Sequence, residues 1–300
     1  MRLIAKCPAK VNLLLRVLGL RPDGYHELET VFQAVAVWDT LEAELADDLT
    51  LAVDSPGVPD DDRNLVLRAA HLLRRFAGTR AGARLHLRKT IPVGGGMGGG
   101  SSDAAGALAL LDRLWSVGAG VDDLLRVASS IGADVPFFLV GGTALGRGRG
   151  DVVTRLPDLD ETPLLLAVPP FPISTAEVYR RFRGSGNRLT PLSNDVSVPR
   201  LSTLKLPGGN DFGFVANDLE EVVFEGWPEL REFRDAALGA GAERAVVSGS
   251  GSTVFGIFRE HPPVRHAIEV LRHGFVAWDL RSCRTIPEGV SVRIRADDVG

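Results

Sequence analysis

The chain has two cysteines in 300 residues, Cys7 and Cys283. That excludes a disulfide framework and leaves no spacing for a cysteine-ligated metal. It has no excess of positive charge: 34 Lys and Arg against 38 Asp and Glu give a formal net charge of −4. No electrostatic case therefore exists for nucleic acid or for an anionic membrane as partner. No run approaches the roughly eighteen consecutive apolar residues that mark a transmembrane helix. Arg2, Lys6, Lys10 and Arg16 interrupt the apolar N-terminal stretch and leave little room for a signal-peptide core. Tyrosine is scarce as well, with only Tyr25 and Tyr179, so the position of each carries information. What remains is ordinary globular composition, 45% hydrophobic and 24% charged. The length suggests two domains. The expectation is a cytoplasmic protein with no implied protein partner.

Glycine, by contrast, is abundant and concentrated. In Ile91-Pro92-Val93-Gly94-Gly95-Gly96-Met97-Gly98-Gly99-Gly100-Ser101-Ser102-Asp103-Ala104-Ala105, six glycines surround one methionine, and a helix follows. Ala104, Leu108, Leu111 and Trp115 fall on one face of that helix, with Ala107, Leu110 and Leu114 beside them. Glycine backbone can turn its N–H groups inward and approach a ligand closely. A helix N-terminus adds free N–H donors and about half a positive charge. Together they make an anion site, and phosphate is the usual anion. Gly94, Gly96 and Gly99 satisfy G-x-G-x-x-G, but Pro92 interrupts the strand a dinucleotide fold would need, and no lysine follows Gly100 as a Walker A loop requires. Ser101 or Ser102 is the expected N-cap. Gly106 costs about 1 kcal/mol inside a helix, which suggests that something packs close to it.

Along the chain, residues 10–18 alternate as a strand, with Val11, Leu13, Leu15 and Val17 on one face and Lys10 and Asn12 on the other. Arg21-Pro22-Asp23-Gly24 is a turn signal. Strands are expected over 28–38, 40–53 and around Leu85–Leu87, helices over 63–76 and 122–131, and a hairpin over 143–156. Pro157 to Pro163 is the expected boundary between a domain over 1–160 and one over 161–300. In the second, a buried strand at 164–168 precedes a helix opened by the capping box Ser174-Thr175-Ala176-Glu177. Residues 184–213 read as loop. Helices near 217–224, 228–239 and 263–272 and strands at 244–248, 253–258 and 275–281 fit a ferredoxin-like plait plus an extra helix.

Three segments stand out together: Pro8-Ala9-Lys10-Val11-Asn12, the glycine loop over 92–102, and Ser248-Gly249-Ser250-Gly251-Ser252-Thr253. Their order and spacing resemble the three motifs of the GHMP small-molecule kinases. Arg21 to Leu28, Gly98 to Ala105 and Gly132-Ala133-Asp134-Val135-Pro136-Phe137-Phe138 add a narrower resemblance, to those GHMP kinases that act on CDP-methylerythritol in the non-mevalonate isoprenoid pathway. The resemblance spans roughly residues 4–258. It implies an α+β fold, with an N-terminal ribosomal-S5-like domain, a C-terminal ferredoxin-like domain and the site in the cleft between them. It implies transfer of the γ-phosphoryl of ATP to a 2-hydroxyl, with Mg²⁺ as the nucleotide's counter-ion.

By that resemblance Asp134 is the base and Lys10 its cationic partner; a helix cap before Pro136 is the other reading of Asp134. Pro92, Gly94, Gly95, Gly96, Met97, Gly98, Gly99, Gly100, Ser101 and Ser102 hold the ATP phosphates. Asn64 and Lys89 match positions on the nucleoside side; a helix-start polar residue and a strand-end lysine describe them equally well. Asn12, Tyr25, His26, Thr175 and Tyr179 match acceptor-binding positions, with the two tyrosines stacking on cytosine and His26 reading its edge. Met97 stands where leucine is usual. Another GHMP kinase, or a catalytically silent nucleotide-binding regulator on the same fold, are the alternatives.

Overall fold

The computed structural model describes residues 2–184 and 212–294, so the loop expected over 184–213 lies almost wholly outside the described residues. The chain runs β1 (Arg2–Leu20), β2 (His26–Ala46), β3 (Leu49–Val53), α1 (Leu65–Ala77), β4 (Gly82–Arg88), α2 (Gly99–Leu114), α3 (Val121–Ile131), α4 (Val135–Val140), β5 (Thr143–Gly148) and β6 (Val152–Arg155). It continues through β7 (Pro163–Val168), α5 (Thr175–Gly184), β8 (Ala216–Asn217), α6 (Glu220–Gly226), α7 (Pro228–Gly239), β9 (Arg244–Val247), β10 (Val254–Ile257), α8 (His261–Leu271), β11 (Asp279–Arg284) and β12 (Ser291–Ile294).

Two sheets face each other, and helices cover their outer faces. The first has the order β12-β1-β2-β4-β3, with β5 and β6 continuing from β2 and β8 beside β1. The second has the order β11-β7-β10-β9, all antiparallel, which is the ferredoxin-like arrangement. β7 shows how the layers form. Leu164, Leu166 and Val168 face the first sheet, while Leu165 and Ala167 face the helices of the second half. A strand buried on both faces reads as a continuous apolar run, and Leu164-Leu165-Leu166-Ala167-Val168 is one. The strands of the second sheet all follow residue 160, yet β8 and β12 return from that half to the first sheet.

The strand readings need three corrections. The 28–38 and 40–53 segments are not two strands divided near residue 39; β2 is one strand of 21 residues, and β3 follows it. The 275–281 strand begins later, at Asp279. The simple alternation of β1 also fails. Its pairing with β2 shifts register between Pro8 and Ala9 and again between Asn12 and Leu14. Leu3, Ala5 and Cys7 lie in the helix-side core, but Ala9, Val11 and Leu13 lie between the sheets. Odd-numbered residues thus change face at the first irregularity, which a period-two reading cannot see. Lys10 and Asn12 consequently stand opposite Ala34 and Phe32, on the side that carries α2 and α4. After the second shift Leu14 stays in the inter-sheet core with Leu13, and Leu15 and Val17 join the core of the second half.

Candidate active site

The glycine loop connects β4 to α2 and is pinned on both flanks. Lys10 N–H donates to the Met97 carbonyl at 3.0 Å, and Thr253 N–H donates to that of Gly95 at 3.1 Å. The first and third sequence segments therefore both lie against the loop. Gly94, Gly96 and Gly98 have φ of +77°, +76° and +70°, values that L side chains rarely adopt. At Gly96 a Cβ would overlap the Gly251 carbonyl, and at Gly98 it would come within 2.7 Å of the Phe138 ring. Met97 is 1% exposed and packs in the inter-sheet core, as a leucine could. The N-cap of α2 is Gly98, not Ser101 or Ser102. Glycine at φ +70° starts the helix earlier than a serine cap would, leaving both serines inside the first turns.

Lys10 is buried, and its ammonium donates to Asn12 Oδ1 at 2.7 Å. It lies 3.4 Å from Asp134 Oδ2 and 5.7 Å from the centroid of the Phe32 ring. Asn12 is fixed in turn: its Nδ2 donates to Thr30 Oγ1 at 2.8 Å, and its backbone N–H to Ser248 Oγ at 3.3 Å. Asp134 occupies the N-cap position of α4 but makes no capping hydrogen bond. Its side chain, 32% exposed, turns toward Lys10 and an open cavity.

That cavity measures about 910 Å³. Lys10, Asn12, Asp134, Tyr25, His26, Thr175 and Tyr179 all line it, so the structure brings both catalytic candidates and all five acceptor candidates together. His26 stacks on Tyr179, with centroids 4.8 Å apart and planes 24° apart. One face of Tyr179 is thus covered by His26. Tyr25 is 57% exposed and lies against the Arg149 guanidinium, 5.3 Å from its ring centroid. Burial, with Arg183 adding to it, lowers the His26 pKa and keeps the ring neutral at physiological pH. Its Nε2 is buried with no hydrogen-bond partner among the described residues. Burial, and after it the charge of Asp134, raises the Tyr179 phenol. Thr175 Oγ1 meets Ser250 Oγ at 2.8 Å, joining α5 to the third segment.

A second cavity of about 200 Å³ lies across the loop, lined by Asn64, Lys89, Pro92, Gly94 to Gly100 and Asp103. Gly96 and Gly98 line both cavities, so the loop is their shared wall. Ser101 and Ser102 line neither; Ser102 is fully buried, and its hydroxyl has no partner among the described residues. Asn64 caps α1: Oδ1 accepts from Val66 N–H at 2.9 Å, and Nδ2 donates to the Pro59 carbonyl at 2.7 Å. Lys89 is buried between Asp39 and Asp103. Neither carboxylate stood out in the sequence. Asp103 carried a weak signal as the sole charge in α2 before Asp112, whereas Asp39 is one of several polar residues buried in β2 and carried none.

A glycine loop running into a helix N-terminus, beside a lysine–aspartate pair and a large cavity, is the arrangement expected of a small-molecule kinase of the GHMP type. The family model of the GHMP kinase N-terminal domain matches residues 64–142, and that of the C-terminal domain matches residues 203–277. The 4-diphosphocytidyl-2-C-methyl-D-erythritol kinase of Pelotomaculum thermopropionicum is 44% identical over 259 residues, covering 86% of this chain and 89% of that protein. The kinase of the same name from Nocardioides sp. is 43% identical over 258 residues, covering 83% and 86%. A crystal structure of a 4-(cytidine 5'-diphospho)-2C-methyl-D-erythritol kinase superposes with a TM-score of 0.77 at 36% identity, over 94% of this chain and 98% of that one. A homoserine kinase from Cytophaga hutchinsonii, 20% identical with a TM-score of 0.75 over 97% of each chain, shares the fold. The chain belongs to the 4-diphosphocytidyl-2-C-methyl-D-erythritol kinases, within the GHMP kinase family.

Proposed function

We infer that this protein transfers the γ-phosphoryl group of ATP to the 2-hydroxyl of 4-diphosphocytidyl-2-C-methyl-D-erythritol, a step of the non-mevalonate route to isoprenoid precursors. The observation that carries this reading is the shared wall. Gly96 and Gly98 separate a small glycine-lined cavity from a large one, and the Lys10–Asp134 pair stands on the large side of it. ATP phosphates lie along the loop and the N-terminus of α2; Pro92 and Gly94 to Gly100 form the cradle, with Ser101 and Ser102 behind it. Asn64 and Lys89 border the nucleoside. Asp134 accepts or orients the acceptor's hydroxyl proton. Lys10 stabilises charge on the reacting oxygens and is aimed by Asn12. Tyr25, His26, Thr175 and Tyr179 hold the cytidine end. Arg68, Arg149 and Arg183 also line the large cavity, which suits an acceptor carrying a diphosphate.

In this reading Mg²⁺ arrives with ATP. Among the described residues no group of three or more His, Cys, Asp or Glu could cage a metal ion. With Ser102 buried and Ser101 lining neither cavity, the chain offers few ligands of its own, which suits an ion held mainly by phosphate oxygens and water. Bound with the nucleotide, the ion would supply neutralisation of phosphate charge. The reading is tested by ATP consumption with CDP-methylerythritol, mevalonate, phosphomevalonate, homoserine and galactose as acceptors. Turnover with CDP-methylerythritol alone is expected. Preference for another acceptor would make this a different GHMP kinase, and turnover with none would leave a nucleotide-binding regulator.

A further inference from the structure

Lys89 follows β4, and its ammonium is enclosed by two carboxylates, Asp39 on β2 and Asp103 on α2. Its Nζ donates to Asp103 Oδ2 at 2.6 Å and to Asp39 Oδ2. The three side chains are nearly sealed from solvent, at 6%, 0% and 3% exposure for Lys89, Asp39 and Asp103. Asp39 Oδ1 also accepts the backbone N–H groups of Thr90 and Ile91, at 2.5 and 2.9 Å. Those two residues lead straight into Pro92 and the glycine run. At the other end of the loop, the first turn of α2 rests on the same group: a Cβ on Gly99 would lie 3.1 Å from Lys89 Nζ and 3.0 Å from Ile91 Cγ2. One ionic cluster thus grips the entrance of the loop, its exit, and the long strand behind both. Desolvating three charges offsets much of their mutual attraction, so the cluster is a poor device for stability alone. Short, directional, charge-assisted hydrogen bonds do fix geometry.

We propose that Asp39 and Asp103 are positioning residues for ATP: acting through Lys89 and the Thr90 and Ile91 amides, they set the separation of the two ends of the phosphate loop and so the aim of its N–H groups. The proposal rests on reading this loop as the ATP site. Neither carboxylate acts on the acceptor, whose cavity lies on the far side of the loop wall.

The test separates the KM values of the two substrates in Asp103→Ala, Asp103→Asn and Asp39→Asn, with a thermal melt for each. Asp103→Ala removes an acceptor from Lys89; the KM for ATP is expected to rise at least about tenfold while the acceptor KM stays within about twofold. Asp103→Asn keeps an oxygen facing Lys89 and is expected to restore most of the ATP affinity. A folded Asp103→Ala enzyme with an unchanged KM for ATP, or with both KM values raised alike, overturns the proposal. If Asp103→Ala does not fold, Asp39→Asn decides: it keeps an acceptor for the two amides but weakens the hold on Lys89, and an unchanged KM for ATP refutes the positioning role. Gly100→Val serves as the control. If it too leaves ATP binding intact, the ATP-site reading has failed; if it abolishes binding while the aspartate variants do not, only the positioning role has.

Discussion

Asp134 stands where a helix cap would stand, and its side chain does not cap. It precedes Pro136 at the start of α4, a place where aspartate normally bonds the N–H groups of the first turn. Here the carboxylate points instead to Lys10, 3.4 Å away. Asp134→Asn should therefore cost little stability, because no cap is lost. It should lower kcat by about 10²–10⁴-fold, the usual loss when a proton acceptor is removed. Lys10→Met should also lower kcat, with ATP still bound in both variants. Calorimetric ATP titration beside steady-state rates checks this; near-normal kcat in Asp134→Asn would remove it from the chemistry. Asp103 makes a prediction of a different kind. Burial pushes its carboxyl up, to about 7, over the opposing pull of Lys89, with Asp39 adding to the rise. The carboxylates hold Lys89 in its charged form in spite of burial. Cys7, also facing Asp103, is pushed up by burial and stays a neutral thiol. A carboxyl raised in the folded state binds its proton more tightly there than in the unfolded chain, where it titrates near about 3.9. Stability must then fall as pH rises from the unfolded value to the folded one. Asp103→Asn escapes that loss, so its Tm relative to the parent should climb by at least about 2 °C between pH 5 and pH 8. A Tm difference independent of pH would count against an Asp103 carboxyl raised by burial.

Among the elements, α2 and the loop before it were the most legible, and for a physical reason. A helix that is apolar all round must be buried, and glycines packed before it must serve a turn or a close approach. Gly106 is the sharpest case: a Cβ there would overlap Cys7 Sγ, which is the close packing its helix cost implied. β1 was less legible. Its irregular pairing with β2 decides which face Lys10 occupies, and that pairing is a property of two strands, invisible in either sequence alone. The Asp39–Lys89–Asp103 cluster was hidden for the same reason, since three distant segments meet there. The glycines of α2 divide into two tests. Around Gly100 the nearest atom to an added Cβ is Leu65 Cδ1 at 3.8 Å, so Gly100→Val has room in the fold but projects into the small cavity. It is expected to abolish ATP binding with Tm nearly unchanged. Gly99 is a worse choice, being already tight against Ile91 and Lys89. Gly106→Ala should do the opposite, losing about 1–3 kcal/mol of stability by overpacking while the folded fraction still binds ATP. Thermal melts and ATP titration on both variants distinguish the roles.

At the scale of the molecule, the two halves meet through a buried apolar layer between the sheets, from Val11 and Val35 on one side to Leu166 and Phe255 on the other. Such a seam leaves little freedom for hinge motion. On the proposed reading the acceptor site is then shaped by side chains contributed across it: His26 begins β2 in the first half, and Tyr179 and Thr175 lie on α5 in the second. Because His26 already stacks on one face of Tyr179, a cytosine ring must use the other face, displace His26 or lie against the exposed Tyr25. Stacking on an aromatic side chain is worth about 1–3 kcal/mol per base, so Tyr25→Ala and Tyr179→Ala should each raise the acceptor KM by about ten- to a hundredfold. Both should weaken cytidine and uridine acceptors alike, since every base has a π-face. His26 is different. Its Nε2 is buried without a partner among the described residues, held neutral and able to donate or accept with the tautomer, so it can read a base edge. His26→Ala should narrow the gap between cytidine and uridine acceptors. In the double variant His26→Ala/Tyr179→Ala the losses should fall short of additive, because each single change also breaks the same stacked pair. The KM for ATP should hardly move in any of these. A rise in the KM for ATP with no change for the acceptor would place these aromatic residues on the nucleotide side of the loop and leave the larger cavity without its cytidine-binding role.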